Sequence, residues 1–310
     1  GVQTCALPIC DRVNCGDRMS SCTIIMTAHP YRFLLIQAFH LSGNPKYQLR
    51  PMQGSKESML MNHADFAPLL ADVEWEVHPG ATDPHGNWPV ETREEFMIVG
   101  AARLPIVKAA CESGKYNAIV LLGGGDPGYV EAREIGHRYG IPVTSCFNAQ
   151  LHIAAMLGNR FSVIDISEAH NMHLSSLVFN YRFKDKCASV RNVNFPLPRP
   201  PEYTERPIQH ERDRAARGEK SDMLEAAVAE SVAAIEEDGA EALVLGCSGA
   251  FWLQPYLQKR LAELGWEIPV LEGYRCAIAQ AKMFVNLGVD VSGLTLPRDK
   301  PQKWRRKKFV

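Results

Sequence analysis

Cys247 lies in Gly246-Cys-Ser-Gly-Ala-Phe251, directly after the apolar run 242–245 (ALVL) and before a helical pattern. A thiol placed where a parallel strand hands over to a helix meets backbone amides and the positive end of the helix dipole. Both lower its pKa toward the range in which sulfur carries protons. The small neighbours leave room for a ligand, so Cys247 is the leading catalytic candidate. A second small-residue turn, Gly123-Gly-Gly-Asp-Pro-Gly128, follows the run 118–122 (AIVLL). It formally satisfies G-x-G-x-x-G, yet it follows the third strand of its series and carries Pro127 in the turn. About twenty residues on, where a dinucleotide site needs an acid for the ribose, residues 143–147 offer none. Amides at Gly123, Gly124 and Gly125, with Ser248 and Gly249 opposite, suit a small anionic ligand better.

The remaining candidates are weighed against plainer readings. Asp165, Glu168, His170 and His173 (DISEAHNMH) look like a metal cluster. A Ser167 cap with acids in the first turn accounts for most of the pattern and leaves only a weak i, i+3 histidine pair, so no metal is expected. His78, Asp83 and His85 share a polar loop at a strand end, where contact with a substrate is conceivable. Cys146, in Thr144-Ser145-Cys146-Phe147, sits at another strand end of the first half. Core packing is the default for it and approach to the cleft the alternative, and Ser145 and Asp126 are candidate substrate contacts.

These positions need a scaffold, and the chain supplies one. Runs 32–39, 73–78, 118–122 and 141–146 read as buried strands, with helices over 94–113 and 129–139 between them. A second series follows at 160–166, 189–195, 242–245 and 269–271, with a Ser-capped helix over 221–238. Alternation of this kind predicts an α/β class with parallel sheets flanked by helices. The two series also repeat: 117–125 (NAIVLLGGG) aligns with 241–249 (EALVLGCSG), and Ile-Pro-Val recurs at 141–143 and 268–270. Duplication into two pseudo-symmetric lobes follows, with Gly123 and Cys247 flanking one cleft.

The 310 residues suffice for two ordinary domains, and 34 basic against 35 acidic groups leave a net charge of -1. That balance gives no global reason to bind nucleic acid or an anionic membrane. Residues 1–9 (GVQTCALPI) spell a translated sequencing-library adapter, so a leader over 1–22 is expected to lie outside the fold. Of nine cysteines, Cys5, Cys10, Cys15 and Cys22 fall there; Cys111, Cys146, Cys187, Cys247 and Cys276 are scattered and odd in number, which suits a reducing cytoplasm. The first lobe is expected over 23–152, completed by 275–297, and the second over 153–274. The proline-rich connection 196–220 reads as a surface excursion or lid, and the basic tail 298–310 as a solvated end.

The segments 117–128 (NAIVLLGGGDPG), 152–164 (HIAAMLGNRFSVI), 241–251 (EALVLGCSGAF) and 268–288 together resemble the aspartate/glutamate/hydantoin racemase superfamily, and its hydantoin racemase branch most closely. The resemblance implies a two-lobed fold and cofactor-free chemistry at a carbon next to a carbonyl or carboxylate. One cysteine per lobe exchanges a proton with opposite faces of that carbon. Cys247 matches the second-lobe thiol; the first falls on Gly123, which has no proton to give. The family's Asn-Pro-Asn substrate turn is also missing, with Ser42-Gly-Asn-Pro45 slightly later. Either another group such as Cys146 or Asp126 stands in, or one proton donor suffices, as in arylmalonate decarboxylase with its first-lobe glycine, or the protein only binds. The expectation is therefore a cytoplasmic, homo-oligomeric racemase or isomerase without cofactor or metal, acting on a small hydantoin-like or carboxylate compound. A decarboxylase is the alternative, and a non-catalytic binder the third possibility.

Overall fold

Two four-stranded parallel sheets carry the two series. The protein is represented by a computed structural model that describes residues 30–43, 45–48, 50–51, 54–200, 208–297 and 303. The leader with its four cysteines, Asn44 of the 42–45 turn, residues 201–207 of the proline-rich connection and all of the basic tail except Lys303 lie outside the described residues.

The first lobe runs β1 (Tyr31–Ile36), the short β2 (Phe39–His40), α1 (His63–Leu70), β3 (Val73–His78), the short β4 (Ala81–Thr82), α2 (Arg93–Glu112), β5 (Ala118–Leu121), α3 (Tyr129–Tyr139) and β6 (Val143–Ser145). Its sheet order is β3-β1-β5-β6, while β2 and β4 pair separately. After α4 (Cys146–Leu157), the second lobe runs β7 (Phe161–Asp165), α5 (Asn171–Asn180), β8 (Cys187–Asn192), α6 (Ile208–Ala216), α7 (Asp222–Glu236), β9 (Ala242–Leu245), α8 (Gln254–Glu263), β10 (Val270–Leu271) and α9 (Gly273–Leu287). Its order is β10-β9-β7-β8. Matching β1, β3, β5 and β6 to β7, β8, β9 and β10 makes the two orders identical, so the repeat seen in sequence is a repeat of topology. It makes the β5 and β9 ends, Gly123 and Cys247, equivalent positions.

Strands β5, β7 and β9 are buried at every residue, which is why they read as continuous apolar runs. Each fully buried Leu or Phe among them contributes roughly 2 to 3 kcal/mol. The helices start where the sequence caps them. Thr92 and Glu95 form a capping box at α2, and the Ser221 hydroxyl accepts from the Leu224 amide at α7.

The last helix of each lobe lies on the other lobe's sheet. On α4, Gln150 donates from Nε2 to the Leu245 carbonyl and accepts from the Leu245 amide, both at 3.0 Å, so it grips β9 just before the Cys247 turn. On α9, the Ala277 carbonyl accepts from Thr144 of β6 at 2.9 Å, and Asn286 accepts from the Tyr31 hydroxyl of β1. The exchange welds the lobes into one core. The proline-rich connection, read as a surface excursion or lid, also packs into the core. It contains α6, where Ile208, Glu211 and Ala215 are buried, and the Ser221 hydroxyl donates to Glu211. Among the described residues no helix is long and apolar enough to cross a membrane, and Cys111, Cys146, Cys187, Cys247 and Cys276 are unpaired.

Candidate active site

The β5 and β9 turns touch. A Cβ on Gly124 would fall 2.1 Å from the Gly246 carbonyl oxygen and 2.7 Å from the Cys247 Cα, so no side chain fits between them. Gly123 and Gly125 have φ of +107° and +73°, which glycine adopts at little cost. Arg103, fully buried on α2, fixes this turn: it donates to the carbonyls of Ile36 (2.6 Å), Leu122 (2.9 Å) and Pro127 (3.2 Å). Burial pulls its guanidinium down to about 10, so it stays charged at neutral pH.

A narrow cleft opens beside the paired turns. The first lobe lines it with Ala38, Phe39, Val90, Phe96, Pro127 and the backbone of Gly123, Gly124 and Gly125. The second lobe contributes His170, Leu174, Leu197, Cys247 and Ser248. Titratable side chains therefore enter this cleft from the second lobe, while the first offers apolar groups and backbone.

The half-buried Cys247 Sγ accepts from the Gly249 amide at 3.4 Å. Burial, then the Asp165 charge, push its pKa well up; the Gly249 amide opposes them and loses. That reverses the direction read from sequence. A short 3-10 turn, Ser248–Leu253, follows Cys247 where a full α-helix dipole was expected, and a carboxylate lies beside it. At neutral pH the group is a thiol, an acid able to donate a proton.

His170 was weighed in sequence as a doubtful metal ligand, and the structure gives it another place. Its Nδ1 lies 2.7 Å from Asp165 Oδ2, both side chains being almost fully buried, and its Nε2 has no hydrogen-bond partner among the described residues. Burial disfavours the imidazolium, but the Asp165 charge and hydrogen bond outweigh it and hold the pKa above its usual value. Asp165 Oδ1 packs against Gly246, where a Cβ would approach it to 2.5 Å, so the same carboxylate faces both His170 and the Cys247 turn. His173 points elsewhere: it stacks on Phe96 at 3.9 Å, and its Nε2 lies 2.6 Å from the Gly125 carbonyl. Burial keeps it neutral and able to donate there. Among the described residues no three His, Cys, Asp or Glu side chains are grouped to hold a metal.

Other sequence candidates stand behind the cleft. Asp126 is buried with its carboxylate turned away, accepting from the Ser145 hydroxyl (2.5 Å), the Phe147 and Asn148 amides (2.8 and 2.7 Å) and the Tyr181 hydroxyl (3.1 Å). It caps α4, and Ser145 serves the same network. Burial raises Asp126 despite those bonds. Cys146 is fully buried, its Sγ 3.5 Å from the Leu121 carbonyl, and burial pushes its pKa far up. None of the three lines the cleft. Nor do the loop residues: His78 Nδ1 accepts from Gly80, His85 pairs with the Trp88 carbonyl, and Asp83 accepts from Ser42.

Sequence reasoning read 196–220 as a surface excursion or lid but missed the ion pairs that tie its start to the first lobe. Leu197 lines the cleft two residues before Arg199, which binds Glu95 at 2.8 Å and Glu91 at 3.3 Å on the first lobe. Glu91 in turn accepts from Ser167 at 2.8 Å. Trp88, Arg199 and two backbone amides hold Glu95 down at about 2 against the effect of burial. The available signal was Thr92 followed three residues on by Glu95, a capping-box pattern that explains Glu95 without an arginine partner.

Residues 87–281 match the family described as Asp/Glu/Hydantoin racemase. Hydantoin racemase of Pseudomonas sp. (strain NS671) is 30% identical over 61% of this chain and 66% of its own length. Hydantoin racemase of Rhizobium meliloti is 30% identical over 54% and 59%. These curated relatives are thus matched over slightly less than two thirds of their length. In structure, allantoin racemase from Pseudomonas fluorescens aligns over 89% of this chain and 100% of its own with a TM-score of 0.63 at 22% identity. A glycine-to-cysteine mutant of arylmalonate decarboxylase aligns over 82% and 93% with a TM-score of 0.52 at 15% identity. Both share the two-lobed fold described above.

Proposed function

Because the chain belongs to the Asp/Glu/hydantoin racemase family, we propose that it is a cofactor-independent racemase moving a proton at a carbon next to a carbonyl or carboxylate, with Cys247 as proton carrier. The observation that carries this reading is the meeting of the Cys247 thiol and the side-chain-free Gly123 turn at one cleft, at equivalent ends of β9 and β5.

In this reading the substrate's carbonyl or carboxylate oxygen lies against the amides of Gly124 and Gly125 and the Ser248 hydroxyl. These donors stabilise the enolate formed when the carbon loses its proton. Cys247, held as a thiol, returns a proton to the carbon. His170, oriented by Asp165, is the other group in the cleft able to hold the proton that leaves. Phe96, Val90 and Leu197 exclude water, which strengthens each of those interactions. The relatives' names, hydantoin and allantoin racemase, favour a cyclic ureide as substrate. A reducing cytoplasm and a homo-oligomeric state belong to the same proposal.

Gly123 favours a second reading. A face without a thiol suits decarboxylation of a malonate-type acid, in which carbon dioxide leaves toward Gly123 and Cys247 protonates the remaining face. Polarimetry on single enantiomers of 5-substituted hydantoins, beside carbon dioxide release from 2-substituted malonates, separates the two. Loss of rotation that disappears in Cys247→Ala supports the racemase. Carbon dioxide release without racemisation supports the decarboxylase, and binding without either reaction leaves a non-catalytic binder.

A further inference from the structure

One first-lobe side chain holds two segments of the second lobe. Glu91, between β4 and α2, is buried, and each of its carboxylate oxygens meets a different segment. Oε1 accepts from the Ser167 hydroxyl at 2.8 Å, and Oε2 accepts from Arg199 Nη1 at 3.3 Å. The Glu91 amide donates to Glu95 Oε2 at 2.8 Å, so its backbone is fixed to the start of α2. Val90, the residue before it, lines the cleft.

Both segments belong to the cleft. Ser167 opens the turn that carries His170: its hydroxyl accepts from the Ala169 amide at 3.3 Å, and its amide donates at 3.4 Å to Asp165 Oδ2, the oxygen that His170 meets. Arg199 ends the strap that leaves β8. Along that strap Val193 and Phe195 donate to the Asp165 and Ile166 carbonyls, both at 2.9 Å, and Leu197 then lines the cleft. A Cβ on Gly249 would stand 3.3 Å from Leu197 Cδ2 and 3.6 Å from Cys247 Sγ, so Leu197 packs at the thiol's own turn and helps to cover it. Asp165 and His173 from its own lobe and Glu91 from the other are titratable groups that face His170. Burial disfavours its imidazolium; the Asp165 charge and hydrogen bond oppose that most strongly, and the Glu91 charge adds to them. Burial is likewise the largest cause of the raised Cys247 pKa, so the cover keeps that group a thiol.

We propose that Glu91 is a positioning residue: with one oxygen it holds the His170 turn and with the other the Leu197 strap, so that a single first-lobe carboxylate sets the imidazole and covers the thiol together. It touches neither reacting atom, and acts through Ser167 on one side and Arg199 on the other. The role rests on the Cys247 cleft being the reaction site, and the test keeps the two apart because neither of its readouts needs turnover.

Iodoacetamide labelling of the full chain, read at Cys247 by mass spectrometry, follows the cover. Glu91→Ala is expected to speed labelling of Cys247 about tenfold or more, since local opening both exposes the sulfur and favours its thiolate. Cys187, at the opposite end of β8, is the internal control and should label at its original rate. Glu91→Gln keeps an acceptor for Ser167 without the charge toward Arg199, and should fall between Glu91→Ala and the unsubstituted protein. Proton NMR titration of the His170 ring, assigned by its absence in His170→Gln, follows the other arm: its midpoint should fall in Glu91→Ala. Thermal melts establish folding, and Arg199→Met, an altered side chain outside the core, repeats the labelling test if Glu91→Ala does not fold. Unchanged Cys247 labelling in folded variants, equal acceleration at Cys187, or an unmoved His170 midpoint overturns the role. Absence of any turnover by the unsubstituted protein, with labelling and titration responding as expected, removes only the reaction and leaves Glu91 as the residue that joins cover and imidazole.

Discussion

The β5 and β9 turns occupy equivalent places in two copies of one topology, yet they are built for different tasks. At the β9 end the chain offers Cys247 and Ser248, with Asp165 and His170 beside them. At the β5 end it offers three glycines braced from behind by Arg103. The helices that follow repeat the contrast. The α4 amides are capped by Asp126 from the neighbouring turn, whereas the α9 amides of Tyr274 and Arg275 are capped at 2.8 and 2.6 Å by Glu272 from the preceding residue. Duplication supplied two candidate proton-transfer faces. This chain places titratable side chains at the second turn and gives the first to space, backbone donors and rigidity.

The comparison breaks most directly at Cys247. Cys247→Ala is expected to lower turnover by about 10³-fold or more while leaving the melting temperature nearly unchanged, checked by initial rates and thermal denaturation. Gly124→Ala should cost at least about 3 kcal/mol in a urea titration, because its Cβ meets the Gly246 carbonyl with no room to move.

A pH series sharpens the contrast between the caps. Burial lifts Glu272 from 4.5 to about 7, so between those values the folded protein holds a proton that the unfolded chain releases. Rising pH across that window therefore destabilises the fold, by up to about 3 kcal/mol, and Glu272→Gln should flatten the melting temperature between pH 5 and 7.5. On the chemical side, His170→Gln is expected to slow turnover about 10²-fold and to remove the pH limb due to its raised pKa from the rate profile. Asp126→Asn should cost about 2 kcal/mol of stability with the rate per folded molecule little changed, since its carboxylate faces the α4 amides and not the cleft. A large loss of rate there would return Asp126 to the reaction.

Much of the scaffold was legible because its signals are local. A buried parallel strand appears as an apolar run and a half-buried edge strand as alternation, so β9 and β3 match their sequence ranges residue for residue, as does α3 between its glycine-rich turn and Gly140. The Gly123 and Cys247 turns were visible for the same reason, each being a strand end written in small residues. What stayed hidden depends on partners far apart in sequence. Arg199 meets Glu95 across 104 residues, and Arg103 reaches Ile36 across 67. His170 was visible as a residue, but its imidazole acquires a role only when the β7 end folds back onto it. The thiol's direction of shift failed in sequence because the helix rule takes no account of burial, the larger cause, or of the Asp165 carboxylate.

The central claim is that proton transfer in this cleft comes from the second lobe through Cys247. Proton NMR in deuterated water on a single enantiomer of a 5-substituted hydantoin tests it most directly, comparing the unsubstituted protein with Cys247→Ala. Deuterium entering at the stereocentre together with loss of optical activity, both absent in Cys247→Ala, is the predicted result. Exchange at an undiminished rate in Cys247→Ala would contradict it.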